Sequence, residues 1–476
     1  DPAFMLHLDK PAWPSQIIVF GIASILLSLA VFLGAKKIPT VSDNIYLLMI
    51  PLLISLGVSA LFYPGFMSYD TLHALRGARG EVTDSMWPPM VSYVWRVIDF
   101  LSPNPSAMHF SQVFLLFFSI FFIIFFFTKK IKYAVIFFLI YLSVPVVLGT
   151  VAVIWKDVLM AAFFLASFVA ITAMSISANR ERFVFLSLLA VCLIFLGVCS
   201  RHNAITGAVP LLFYFSWITC MRSLKPRLHL LVGTILLGSI LTGTIFFTKI
   251  QVDKYSLPGF IQMDSSTDVF MKTVRVLDIA GASICVGHNL FSDLAPNLSL
   301  DEIKNSYDPR HINLSRDLLN KVPIDYRVNE VWLNVALHHP ICFFNNKFEL
   351  IKYMTGFNSG TQFLITAPSI DSNEFGYKLS KSWFRDEAVS YITHASQVTF
   401  FKPWFLYLIS IIAFIYMISV RALTTSYLTM FLSAIFYFGG LFLFGNAADA
   451  RLLFYTTTVI LILIFISIIE LKRRFK

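Results

Sequence analysis

The sequence predicts an all-α polytopic membrane protein, and three observations carry that reading. Hydrophobic residues make up 57% of the 476 and charged residues only 13%, with a mean hydropathy of +0.74, far from the balance of a water-soluble fold. Apolar runs long enough to cross a hydrocarbon core, which takes roughly 20 helical residues, recur about eleven times. Alternate loops between them carry clusters of Lys and Arg that place them on one face.

The runs fall at 15–33, 45–62, 110–127, 133–152, 158–177, 183–198, 204–221, 230–247, 404–420, 427–443 and 452–469. Short loops rich in Lys and Arg stay on the cytoplasmic side. Lys36 and Lys37, then Lys129, Lys130 and Lys132, then Arg180 and Arg182, then Arg222, Lys225 and Arg227, then Arg421, and the tail Lys472, Arg473, Arg474 and Lys476 all fall on one face. That face is expected to be cytoplasmic, with the C-terminus in. Loops 63–109, 155–157, 201–203, 249–402 and 445–451 then face outward with the N-terminus. The net charge of +10 follows from this bias, so it signals topology and anionic-lipid contact before any nucleic acid. No cleavable signal peptide is expected.

The first outward loop interrupts two apolar runs with PGFMSYDTLHALRGARGEVTDSMWPPM. A short amphipathic helix fits Asp70 to Arg79. Pro88 and Pro89 can start a second, with Met90, Val94, Ile98 and Leu101 on one face. Both would lie along the membrane surface, apolar side in the headgroup boundary and Asp70, Arg76, Arg79 and Glu81 at the aqueous side.

Segment 249–402 is long enough for a small, mainly helical extracytoplasmic domain. Ser299 opens SLDE, a capping-box pattern in which hydroxyl and carboxylate cover free amides at a helix start. Residues 326–339, with Val328, Val331, Trp332, Val335 and Leu337, suit an amphipathic helix stopped by Pro340. Residues 346–353 extend helical structure beyond it. Of the five cysteines, Cys285 and Cys342 alone lie in this segment. We expect two free thiols there rather than a disulfide. His288, Glu330, His338, His339 and His394 lack the i, i+4 spacing that gathers two metal ligands on a helix face, and no metal site is expected.

The order of parts resembles the GT-C class of integral-membrane glycosyltransferases that use polyprenyl-phosphate sugars. The likeness lies in one span, an outward loop with an acidic residue and two juxtamembrane helices, six spans on short loops, a long outward region and closing spans. It also resembles the bacterial surface-polysaccharide-modifying, serotype-converting-like members through YPGFMSYD (63–70), WPP (87–89), IWKD (154–157) and SRHN (200–203). Trp87 stands where members often carry His. The division then reads 1–44 as an extra helix and cytoplasmic loop, 45–248 as the GT-C-like core, 249–402 as the extracytoplasmic domain, and 403–476 as closing helices with a basic tail.

The resemblance implies an inverting transfer of a hexose, glucose first, from a polyprenyl phosphate to a lipid-linked glycan or O-antigen-like surface polysaccharide. It would occur at the periplasmic face of a bacterial inner membrane. Such transfer needs a base for the acceptor hydroxyl and cations for the departing phosphate. Asp70 is the candidate base; its alternative role is a helix N-cap. Lys156, Arg201 and Arg451 are the candidate phosphate ligands. Each could instead be an interfacial anchor, and Arg451 could make a local pair with Asp449. Tyr69, Arg76, Glu81, Trp87, Asp157 and His202 are candidates for acceptor or sugar contacts, with Trp95 a further stacking surface. Aromatic residues at this depth are more often belt anchors, and His202 more often structural. No cofactor is expected. A divalent ion between Asp70, Asp157 and phosphate is conceivable but not preferred, for want of neighbouring carboxylates. The competing functions are an O-antigen polymerase or ligase acting on lipid diphosphate glycans, which would tolerate loss of Asp70, and a lipid-linked-sugar transporter without chemistry.

Overall fold

Inside a bilayer every backbone polar group must be satisfied within the protein, and the chain meets that demand with helices. In a computed structural model of the protein, the described residues are 46–81, 87–225, 227–254, 267–308, 316–322, 327–358, 364–445 and 447–475. They build α1 (Tyr46–Leu61), α2 (Tyr69–Ala78), α3 (Met90–Leu101), α4 (Pro105–Thr128), α5 (Ile131–Ser143), α6 (Pro145–Val151), α7 (Lys156–Ser175), α8 (Arg180–Ser200), α9 (Ala204–Ser223) and α10 (Arg227–Lys254). There follow α11 (Thr267–Val286), α12 (Leu300–Ser306), α13 (Arg316–Lys321), α14 (Arg327–His338), α15 (Pro340–Thr355), α16 (Trp383–Ala395), α17 (Pro403–Ser419), α18 (Thr425–Phe444) and α19 (Phe454–Arg474). Among the described residues there is no β-strand, only two isolated bridges.

Among the described residues seven helical runs are long and apolar enough to cross a membrane: α4, α7, α8, α9, α10, α18, and the run 450–474 that contains α19. An eighth is counted if α5 and α6, bent by 87°, make one span. The expected count of eleven is not confirmed among the described residues. The run at 15–33 lies outside the described residues. Those at 45–62 and 404–420 became α1 and α17, of 16 and 17 residues, about 24–26 Å long at 1.5 Å per residue. The run at 133–152 is broken because Pro145 has no N–H to continue α5 and pushes Val144 to an extended conformation (φ −81°, ψ 115°).

Helices α4, α7 and α19 are buried along most of their length. They are apolar on every side, as helices enclosed by other helices must be. Helix α10 is the opposite case. It keeps Leu231, Ile235, Ile240, Phe246 and Phe247 exposed, a surface suited to lipid tails.

Helices α2 and α3 form where the loop sequence predicts them, but α3 is turned. It buries Met90, Val91, Ser92 and Trp95 instead of the Met90/Val94/Ile98/Leu101 face. Leu101 is exposed along with Val97 and Phe100, because the Trp95 indole takes the place in the core. Trp95 is fully buried and so cannot stack on a sugar.

The segment after α10 has a core of its own, with Val276, Ile279, Phe291, Leu318, Val335 and Phe343. The Ser299 capping box forms, with Glu302 as its reciprocal partner. Helix α14 buries Val328 and Val335, but Leu337 is exposed, a departure from the expected apolar face. Pro340 ends α14 and also opens α15 as its first residue. The expected free thiols are corrected: α11 packs on α15, which sets the Cα atoms of Cys285 and Cys342 5.5 Å apart, and the two are bridged. Residues 364–402 belong elsewhere, since Ile365 and Ile392 join the core of the helical bundle.

At the α11–α15 contact the Asp278 carboxylate is ion-paired with Lys347 (2.7 Å) and accepts from Trp332 Nε1 (2.9 Å) and Asn346 Nδ2 (3.2 Å), and Tyr307 donates to Asn346. A Cβ on Gly281 would lie 2.1 Å from Asn346 Oδ1, and Asn346 is held from both sides. Gly281→Ala is expected to destabilise this domain by about 1–3 kcal/mol, read as earlier proteolysis of 267–355 with the bundle helices intact.

Candidate functional site

The YPGFMSYD loop is fixed by its backbone. Phe66 donates to Ala152 O and accepts from Ile154 N–H, both at 3.0 Å; Met67 donates to Ser369 O (3.0 Å) and accepts from Asp371 N–H (2.9 Å). The loop thus runs between the IWKD stretch and residues 369–371, parallel to both. Gly65 makes the close approach, with φ +103° and an imagined Cβ only 2.9 Å from Ile154 and 3.1 Å from His109. Trp155 Nε1 donates to Ser68 Oγ (2.9 Å), and Thr71 Oγ1 donates to Ile154 O (2.9 Å). These bonds set the start of α2 against the start of α7.

Asp70 stands in the first turn of α2, and the N-cap is Ser68. Its carboxylate leaves the helix instead of capping it. Oδ2 accepts from Arg451 Nη2 at 2.7 Å and Oδ1 from Trp87 Nε1 at 3.1 Å. Arg451 also donates from Nε to Asp449 at 3.2 Å, and its guanidinium carbon lies 4.8 Å from the centre of a Trp155 ring. Burial works to raise the Asp70 carboxyl, but the charges of Arg451 and Lys156 and the two hydrogen bonds outweigh it and hold the group well below the usual carboxylate range. Burial holds Asp449 above that range against the pull of Arg451.

Lys156, first residue of α7, lines one pocket with Asp70, Trp87, His73, Ser92 and Trp155. Asp70, Arg201, Arg451 and Asp449 are the charges that act on it. Among the described residues its ammonium makes no hydrogen bond or ion pair. One guanidinium between two carboxylates leaves one negative charge over, and Lys156 offsets it from a distance.

The other candidates separate into neighbours of the pocket and residues outside it. Arg201 is ion-paired with Asp157, whose side chain is 1% exposed, and its Nε donates to Asn203 (3.3 Å). His202 Nδ1 lies 3.6 Å from Asp253 Oδ2 and 3.4 Å from Lys249 Nζ, which itself pairs with Asp253. Burial lowers the His202 pKa against the pull of Asp253, so the ring is neutral near pH 7. Tyr69 is exposed, its ring 5.8 Å from Trp87. Arg76 binds Glu374 through two bonds of 2.5 and 2.8 Å with Glu81 4.0 Å away, which ties α2 to the 364–381 stretch away from the pocket lining. Among the described residues no three His, Cys, Asp or Glu side chains gather as a metal ion would need, and Asp70 and Asp157 are each engaged by an arginine.

Sequence reasoning missed His73, Trp155 and the Lys249–Asp253 pair. Only the last left a signal, opposite charges four residues apart at the end of an apolar run. Compared with known proteins, the chain matches no family model, no curated protein and no solved structure.

Proposed function

We propose that the chain is an inverting glycosyltransferase of the GT-C kind, moving a hexose from a polyprenyl phosphate to a lipid-linked glycan or surface polysaccharide at the outer face of a bacterial inner membrane. The observation that carries this reading is the uncommitted Lys156 ammonium beside the Asp70–Arg451 pair, at helix ends where a lipid-borne phosphate would sit. A cation without a partner in a pocket that also holds a fixed carboxylate suits an anionic leaving group next to a proton acceptor. Asp70 would take the acceptor's hydroxyl proton, and Lys156 with Arg451 would hold the phosphate. Arg201 supports α7 through Asp157 and adds positive potential behind Lys156. The lipid tail would run along the bundle's apolar surface, and the eleven-span count with the N-terminus out belongs to the same proposal.

The sidedness has two independent supports. The bridged Cys285 and Cys342 suit an oxidising compartment, and their domain joins the site end of the bundle through α15, which touches the turn carrying Arg451. The basic tail 472–475 closes α19 at the opposite end.

Lys156→Ala is expected to weaken binding of a polyprenyl-phosphate hexose about tenfold to a hundredfold, the worth of a hydrogen-bonded charge. Calorimetry on the purified protein in nanodiscs checks it. Unchanged affinity would remove the phosphate site. The break at Val144 is a feature shared with transporters; a transporter would move lipid-linked sugar across vesicles and release no polyprenyl phosphate.

A further inference from the structure

The proposed base is tied to a cation. Asp70 gives one carboxylate oxygen to Arg451 and the other to Trp87, and Arg451 is shared with Asp449. The charged and titratable groups around this carboxylate are Arg451 and Asp449 ahead of α19, Lys156 at the start of α7, Arg201 between α8 and α9, and His73 on α2. Of these, and among the described residues, Lys156 is the one whose ammonium makes no hydrogen bond or ion pair. A phosphate drawn to Lys156 would arrive beside the Arg451 fork, which matches phosphate oxygens with two parallel bonds as well as it matches a carboxylate.

We propose, resting on the glycosyltransferase reading above, that Arg451 is a latch on Asp70: a lipid-linked phosphate anchored by Lys156 draws the guanidinium off the carboxylate, so that Asp70 becomes a competent base when the donor is in place. A carboxylate held by a guanidinium is a poor proton acceptor. Released in half-buried surroundings, it is a better one. During transfer the acceptor oxygen forms its bond to the anomeric carbon as the bond from that carbon to the phosphate oxygen breaks. The electron pair leaves with the prenyl phosphate, and the hydroxyl proton passes to Asp70. The phosphate goes from one negative charge to two, and Arg451 has already moved to where that charge grows.

The test is a cryo-electron microscopy structure of the full chain, in nanodiscs and with an antibody fragment, bound to geranyl phosphate. The expected result places the guanidinium within about 3.2 Å of the phosphate oxygens and beyond hydrogen-bond reach of Asp70. Phosphate on Lys156 with Arg451 still on Asp70 overturns the latch and leaves the glycosyltransferase reading standing. Geranyl phosphate that does not bind at all ends both. In parallel, Asp70→Asn replaces the anion that competes for Arg451 with a weaker, neutral acceptor and is expected to tighten geranyl phosphate binding about tenfold. Unchanged or weaker binding by that variant also overturns the latch.

Discussion

Asp70→Asn is expected to lower the turnover number for hexose transfer by about 10²–10⁴-fold, the worth of a positioned general base, with no loss of donor binding. The substitution keeps the side chain's shape. An amide oxygen can still accept from Arg451 or Trp87, so α2 and its contacts with the 152–155 stretch should survive; what is lost is the proton acceptor. The measurement is the initial rate at saturating donor, beside circular dichroism to show the helices intact. A variant with normal turnover would discard the base and favour the polymerase or ligase reading, which relies on outward arginines.

Arg201→Ala should have the second-largest effect, and it falls on the fold. Arg201 is the ion-pair partner of the buried Asp157, whose second oxygen has no hydrogen-bond partner among the described residues. Deleting the arginine leaves a carboxylate stranded at the start of α7, a loss of about 3–5 kcal/mol. The variant is expected to melt earlier and to aggregate on extraction. Combining it with Asp157→Asn removes the stranded charge and should recover most of the loss. If the single variant is as stable as the parent, the pair is an ornament of the surface and Arg201 returns as a candidate for direct phosphate contact. The structure thus changes what a substitution at Arg201 can tell about the donor.

The ten apolar runs that lie among the described residues coincide with helices, because a stretch without water must close its own hydrogen bonds and its composition declares it. The alternation of basic loops likewise foretold that loops 63–109, 155–157, 201–203 and 445–451 share one end of the bundle. Convergence was expected of Asp70, Lys156 and Arg201, with Arg451 the weaker candidate; it is Arg451 that pairs with Asp70, while Arg201 pairs with Asp157. Tyr69, Arg76, Glu81 and His202 were legible only as polar groups near that end. Whether each faces the pocket depends on partners such as Glu374 and Asp253, far away in the chain.

What the sequence determined by itself was the class of solvent each segment meets, and with it the helices, their order and the shared end where charge collects. Tertiary structure alone decided the pairings: Arg451 with Asp70, Arg201 with Asp157, Cys285 with Cys342, and, among the described residues, the ammonium of Lys156 with none. Hydropathy is a property of a run and is written locally. A partner is a matter of a few ångströms between residues hundreds of positions apart, and no local pattern encodes that distance.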